Sequence, residues 1–212
     1  MTAPAHGLRA LLLDLDNTLI DRDAAFERWM GARFPAAELP ALRALDGRGQ
    51  MPRSEFCGAV AAGWPVGGAA AFWEAFRVGI AEAVAPAPEV DAALVMLRER
   101  YALAVVSNGG SDNQRRKMAQ AGLVFEAVFI SGEVGFEKPD PRIFQAAMRE
   151  LGVSAGEAMM VGDDWERDVV GAIGVGLRTC WVKPRGVAIH SPEPDLIIAH
   201  ISELPDRLRR SM

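Results

Sequence analysis

Asp14 and Asp16 stand two residues apart at the end of an apolar run, Leu11-Leu12-Leu13. In an extended chain they share one side. Paired carboxylates at the end of a core strand are electrostatically costly unless a cation, a proton or hydrogen bonds relieve them. Three further polar groups follow similar apolar runs. Ser107-Asn108-Gly109-Gly110 ends the run 102–106, and Lys138-Pro139-Asp140-Pro141 follows a loop after 127–130. Gly162-Asp163-Asp164 ends the run 158–161, with Asp168 one helical turn further on. Asp14 with Asp163 suits Mg²⁺, a hard cation that takes oxygen ligands and keeps several waters. Ser107 and the backbone N–H groups around Asn108 suit phosphate oxygens at a helix N-terminus. Lys138 suits the counter-charge that keeps a carboxylate nucleophile and a phosphate together. These parts serve phosphoryl transfer.

The elements that must position them alternate. Strands are expected at 9–13, 102–106, 127–130, 158–161 and 178–182, with an edge strand at 196–198. Helical composition or periodicity marks 89–100, 113–121, 141–151, 165–175 and 201–210. This rhythm implies an α/β fold with a mostly parallel sheet, which binds ligands at the carboxyl ends of its strands. The interval 21–86 breaks the rhythm: 24–34, 40–45, 53–64 and 69–84 are helix-like, punctuated by Gly and Pro. The expected division is a catalytic core of 1–20 and 87–212 with a helical cap of 21–86.

Half of the 212 residues are apolar, and the formal net charge is −5. That charge offers nucleic acid or an anionic membrane no long-range attraction. No segment reaches the roughly 18 uninterrupted apolar residues of a membrane span. Asp14 and Asp16 interrupt the N-terminal apolar run, which argues against a signal peptide, so a cytoplasmic location is expected. Cys57 and Cys180 match no zinc or redox spacing and are expected as buried free thiols. His6, His190 and His200 pair with no motif. Arg115-Arg116-Lys117 reads as a solvated helix face, and Phe72, Trp73 and Phe76 as packing. Arg48, Arg53 and Trp64, near the Gly/Pro-rich turns, are the candidates for substrate contact from the cap.

The four ordered motifs, Asp14-Leu15-Asp16-Asn17-Thr18, Ser107-Asn108-Gly109, Lys138-Pro139-Asp140-Pro141 and Gly162-Asp163-Asp164 with Asp168, resemble the haloacid dehalogenase superfamily of hydrolases. The likeness is to its phosphatase branch with a helical type-1 cap, near pyrimidine nucleotidases and N-acylneuraminate-9-phosphatases. It implies a Rossmann-like core with an inserted α-helical cap domain. It also implies roles: Asp14 as nucleophile forming an aspartyl-phosphate, and Asp16 as proton donor and acceptor whose backbone carbonyl joins Asp14 and Asp163 on Mg²⁺. Ser107 and Asn108 would bind the phosphoryl group and Lys138 would orient Asp14. Thr18, Asp164 and Asp168 would support, the last two by holding metal waters or orienting Lys138.

A superfamily dehalogenase lacks the second Asp, because its halide leaves without a proton; Asp16 therefore argues for a phosphoryl substrate. Phosphonate cleavage would need a cap Lys, and 21–88 contains none. The expected activity is Mg²⁺-dependent hydrolysis of a small phosphorylated metabolite of nucleotide, sugar phosphate or phosphoglycolate type, by a monomer or homodimer. A sugar-phosphate mutase and a non-catalytic binding module on the same fold are the alternatives.

Overall fold

The structure, a computed structural model, describes residues 7–189 and 191–210. The expectations for His6 and His190 lie outside these residues. Among the described residues six strands form one parallel sheet: β1 (Ala10–Leu13), β2 (Ala102–Ser107), β3 (Ala127–Ile130), β4 (Ala158–Gly162), β5 (Arg178–Val182) and β6 (Leu196–Ile198). Their order is β3-β2-β1-β4-β5-β6. β1 is central and fully buried, which is why its sequence is a continuous apolar run rather than an alternating one. Leu13 pairs with Val105 of β2 on one side and Val161 of β4 on the other. The chain therefore reverses its direction of sheet growth at β1, and the crevice there is where parallel sheets bind ligands.

Helices α5 (Pro88–Arg98), α6 (Ser111–Gln120), α7 (Ser131–Val134), α8 (Pro141–Leu151), α9 (Gly171–Ile173) and α10 (Leu204–Arg210) follow the strands. α8 is capped at both ends: the Asp140 side chain accepts from the Arg142 N–H, Pro141 opens the first turn and Gly152 ends it left-handed. The expected helix 165–175 is instead a π-helical turn, Trp165–Val170, running into α9. Short π segments carry wider turns and often stand at functional sites.

Between β1 and α5 lie only helices: α1 (Arg22–Gly31), α2 (Leu39–Asp46), α3 (Arg53–Gly63) and α4 (Ala69–Glu82), with short 3₁₀ turns. Their buried side chains form an aromatic cluster of Phe26, Trp29, Phe56, Phe72 and Phe76, with centroids 5.3–6.2 Å apart. Aromatic pairs of this kind contribute about 1 kcal/mol each beyond area burial. Gly79 on α4 admits Trp29 to this cluster, since a Cβ there would fall 1.6 Å from its indole nitrogen. The cluster is continuous with Leu11, Leu13 and Val105 on one sheet face, so insertion and sheet share one apolar core. Among the described residues no helix is long and apolar enough to cross a membrane.

Candidate active site

β1 leads into a tight loop at the sheet's carboxyl edge. The N–H groups of Leu19 and Ile20 both donate to the Leu15 carbonyl at 3.0 Å, folding the chain back beside Asp16. Asn17 turns the loop with φ 60°, a left-handed conformation that Asn tolerates better than most residues. The Asp23 N–H donates to Asn17 Oδ1 at 3.0 Å, tying the loop to α1. Thr18 is buried beneath it, and its hydroxyl has no partner among the described residues.

Two carboxylates and a lysine meet at the end of β1. Lys138 Nζ donates to Asp14 Oδ1 at 2.7 Å and to Asp168 Oδ1 at 2.6 Å, all three groups being buried. Asp168 Oδ2 accepts the Asp164 N–H at 3.0 Å. This close approach needs Gly162, because a Cβ at that position would lie 2.1 Å from Asp168 Oδ2. Trp181, packed edge-on to Trp165, donates its indole N–H to the Asp163 carbonyl at 2.9 Å and fixes that loop.

Electrostatically the corner is acid-rich. Burial raises the Asp14 pKa well above the ordinary carboxylate value; Lys138 opposes the rise, while Asp168 and Asp163 add to it. Burial and the Asp168 charge push Asp163 up to about 7, against Arg48. Burial raises Asp168 as well, against Lys138. Burial also disfavours the Lys138 ammonium, yet Asp14 and Asp168 outweigh it and hold its pKa above the usual lysine value. One oxygen from each of Asp14, Asp163 and Asp168 lies within 4.8 Å of the others. Crowded, desolvated, all-oxygen donors fit a hard divalent cation. Both Asp168 oxygens are already engaged, which leaves Asp14 and Asp163 as the carboxylates suited to hold one.

Asp16 turns to different partners. Lys117 Nζ donates to its Oδ1 at 2.7 Å and its Oδ2 at 2.9 Å, and Gln114 Nε2 donates to Oδ2 at 2.8 Å. Burial works to raise the Asp16 pKa, but these bonds outweigh it and hold it below the ordinary value. Lys117 is therefore not part of a solvated face, as the basic run suggested. It is buried because α6 turns Gln114 and Lys117 inward, while Arg115 stays exposed and pairs with Glu133. Gln114 Nε2 also donates to Ser107 Oγ at 2.7 Å. Asn108 bonds the backbone of Lys138 in both directions, at 2.7 and 2.8 Å, so its side chain sets that loop.

These residues floor a cavity of about 610 Å³ between the strand ends and the insertion. Arg48 and Arg53 line it, as do Trp73 and Phe76, which the sequence pattern had assigned to packing alone. Arg48 Nη2 donates to Asp163 Oδ2 at 2.7 Å, and Arg53 Nη1 donates to Asp46 Oδ1 at 2.8 Å. Trp64 is a correction. It packs edge-on against Phe34 at 6.1 Å and is not among the cavity-lining residues, because the end of α3 directs it into apolar contacts. Asp164 neither touches Lys138 nor joins the acid cluster. It accepts from the Arg167 N–H at 2.9 Å, opening the π turn, and from Gln50 Nε2 at 3.0 Å.

The family model for haloacid dehalogenase-like hydrolases matches residues 8–176. The phosphoserine phosphatase of Thermus thermophilus is 47% identical over 122 residues, covering 55% of this chain and 49% of that protein. The human N-acylneuraminate-9-phosphatase is 36% identical over 128 residues, 58% of this chain and 52% of that protein. The chain thus spans about half the length of these curated relatives. In fold it is similar to the HAD-hydrolase YfnB of Bacillus subtilis, solved with magnesium. The TM-score is 0.80 at 22% identity, over 96% of this chain and 99% of that one.

Proposed function

The chain belongs to the haloacid dehalogenase-like hydrolases, and from that premise we propose that it is a Mg²⁺-dependent phosphomonoesterase of small phosphorylated metabolites. The observation that carries the reading is the buried Asp14–Lys138–Asp168 chain beside Asp163, under a cavity of about 610 Å³. The named phosphatases among its relatives support it. Asp14, Asp163 and the Asp16 backbone carbonyl would hold Mg²⁺, which when bound offsets the repulsion between phosphate and carboxylate.

Asp14 attacks phosphorus and the bond from phosphorus to the ester oxygen breaks, while Asp16, which takes up a proton from solvent before this step because Lys117 and Gln114 otherwise hold it ionised, gives that proton to the departing oxygen. Water then attacks the aspartyl-phosphate and loses its proton to Asp16. The bond from phosphorus to Asp14 breaks and inorganic phosphate leaves. Lys138 holds Asp14 in place through both steps and Asp168 holds Lys138. Ser107 and the backbone around Asn108 receive the phosphoryl oxygens. The insertion 21–86 acts as a cap, presenting Arg48, Arg53, Trp73 and Phe76 to the leaving group and limiting water. Nucleotides, sugar phosphates and phosphoglycolate-type esters are the substrate classes to screen.

Hydrolysis of p-nitrophenyl phosphate with and without Mg²⁺ tests this reading. Turnover is expected only with a divalent cation and is expected to vanish in Asp14→Asn. A wild-type protein inactive with every divalent metal, or a fully active Asp14→Asn, refutes it.

A further inference from the structure

α6 carries two polar side chains to its buried face. Gln114 and Lys117 are three residues apart, one above the other on the helix, and are 1% and 4% exposed. Taking an ammonium and an amide out of water is costly unless their partners are fixed. Here every partner belongs to the reaction corner. Lys117 grips both oxygens of Asp16 and also donates to Gln114 Oε1 at 2.8 Å. The Gln114 amide in turn gives one hydrogen to Asp16 Oδ2 and the other to Ser107 Oγ. The result is a closed triangle of Asp16, Lys117 and Gln114 with one link to Ser107. All four residues line the cavity, and Asp16 is the most open of them, its side chain being 26% exposed.

We propose that Lys117 and Gln114 are positioning residues that clamp the Asp16 carboxylate where protons are exchanged with the leaving oxygen and the attacking water, in register with Ser107. The inference rests on the phosphatase reading above and adds to it a second lysine. One buried lysine serves the attacking carboxylate and another serves the proton-moving carboxylate. A carboxylate on two freely turning bonds would otherwise sample many orientations, and a displacement of about 1 Å at a reacting group can lower rates 10²-fold. The clamp is carried by α6, the helix on which α4 of the insertion packs.

The proton inventory supplies the test. A p-nitrophenolate departs without a proton, whereas an alkoxide needs the one that Asp16 gives. The ratio of kcat/KM on an alkyl phosphate to that on p-nitrophenyl phosphate thus reads Asp16 placement, and a merely structural lesion lowers both alike. In Lys117→Met this ratio is expected to fall ~30-fold, within the range of general acid catalysis. Lys117→Arg should restore part of it. Gln114→Leu keeps the ammonium and removes the Ser107 link, so it reports in the same direction, ~5-fold, even where Lys117→Met does not fold.

Equal losses on both substrates in folded Gln114→Leu and Lys117→Met, or no loss on either, overturn the clamp while leaving the phosphatase reading intact. Wild-type protein that hydrolyses neither ester overturns both, and that outcome is seen before any variant is made.

Discussion

Two of the buried charge clusters among the described residues are built to opposite balances. In the insertion, Asp46 faces two guanidiniums. Arg22 grips both of its oxygens and Arg53 donates to one at 2.8 Å, while the Gly49 N–H adds a further bond at 2.8 Å. Burial works to raise Asp46, but the two arginines overcome it and its pKa falls below the ordinary value. At the strand ends, Asp14 and Asp168 share Lys138 while Asp163 pairs with Arg48, and all three carboxylates are pushed upward. The first cluster is satisfied by its own residues and holds α1, α2 and α3 together. The second carries a surplus of negative charge that a cation bound from outside would relieve. Burial of charge is common to both, so burial alone does not mark a site. The direction in which burial and neighbours leave the carboxylates separates these two clusters, while Asp16, beside the second, is lowered by its own lysine.

The largest break in that contrast is Asp14→Asn. Turnover is expected to fall by about 10⁴-fold or more, and the melting temperature should hold or rise, because one crowded carboxylate is gone. Steady-state kinetics with a thermal melt checks both, and a stability loss would move Asp14 into the structural class. Asp46→Ala should invert the pattern. Removing one member of a buried ion network leaves uncompensated charge and costs about 3–5 kcal/mol of stability, read by urea denaturation. A variant as stable as wild type would show the insertion cluster is not structural.

A smaller effect comes from pH. In metal-free protein Asp163 holds its proton up to about 7, whereas an unfolded aspartate titrates near ~4. The folded state then binds more protons in that interval, so this group's contribution to stability declines as pH rises from about 4 to about 7. Mg²⁺ competes with that proton. The rise in melting temperature on adding Mg²⁺ should accordingly be greater at pH 8 than at pH 6, and an equal rise would remove Asp163 from the metal set. Smallest is Trp73→Ala, which touches the cavity from the insertion. It should change KM by a few-fold, about 1 kcal/mol, and unequally among phosphate esters. A uniform change across a substrate panel would deny the insertion a part in selection.

Much of this was legible because the chemistry is local to strand ends. Asp14, Ser107, Asp163 and the Lys138 loop each follow an apolar run, and a parallel sheet gathers such ends whatever the loops between them do. The α/β class followed from the same alternation. What escaped was set by packing between distant segments. Lys117 looked like part of a basic run because its partner is 101 residues away. Only the inward pairing of Gln114 and Lys117 on the face that carries Met118 hints at its burial. Arg22 and Asp46 are 24 residues apart, and no local pattern announces their pairing. Trp64 and Trp73 are alike in sequence; the turn of one helix puts Trp73 at the cavity and the end of another puts Trp64 against Phe34. The π turn at Trp165 read as an ordinary helix because its composition is helical.

In the proposed reaction Asp14 is the nucleophile that carries the phosphoryl group between the two steps. Acid-quenching the working enzyme and sequencing its peptides by mass spectrometry tests it most directly. One phosphoryl group is expected on the peptide that contains Asp14, at that residue, and none in Asp14→Asn. Steady turnover with an unmodified Asp14 peptide, or a phosphoryl group on another residue, would contradict it.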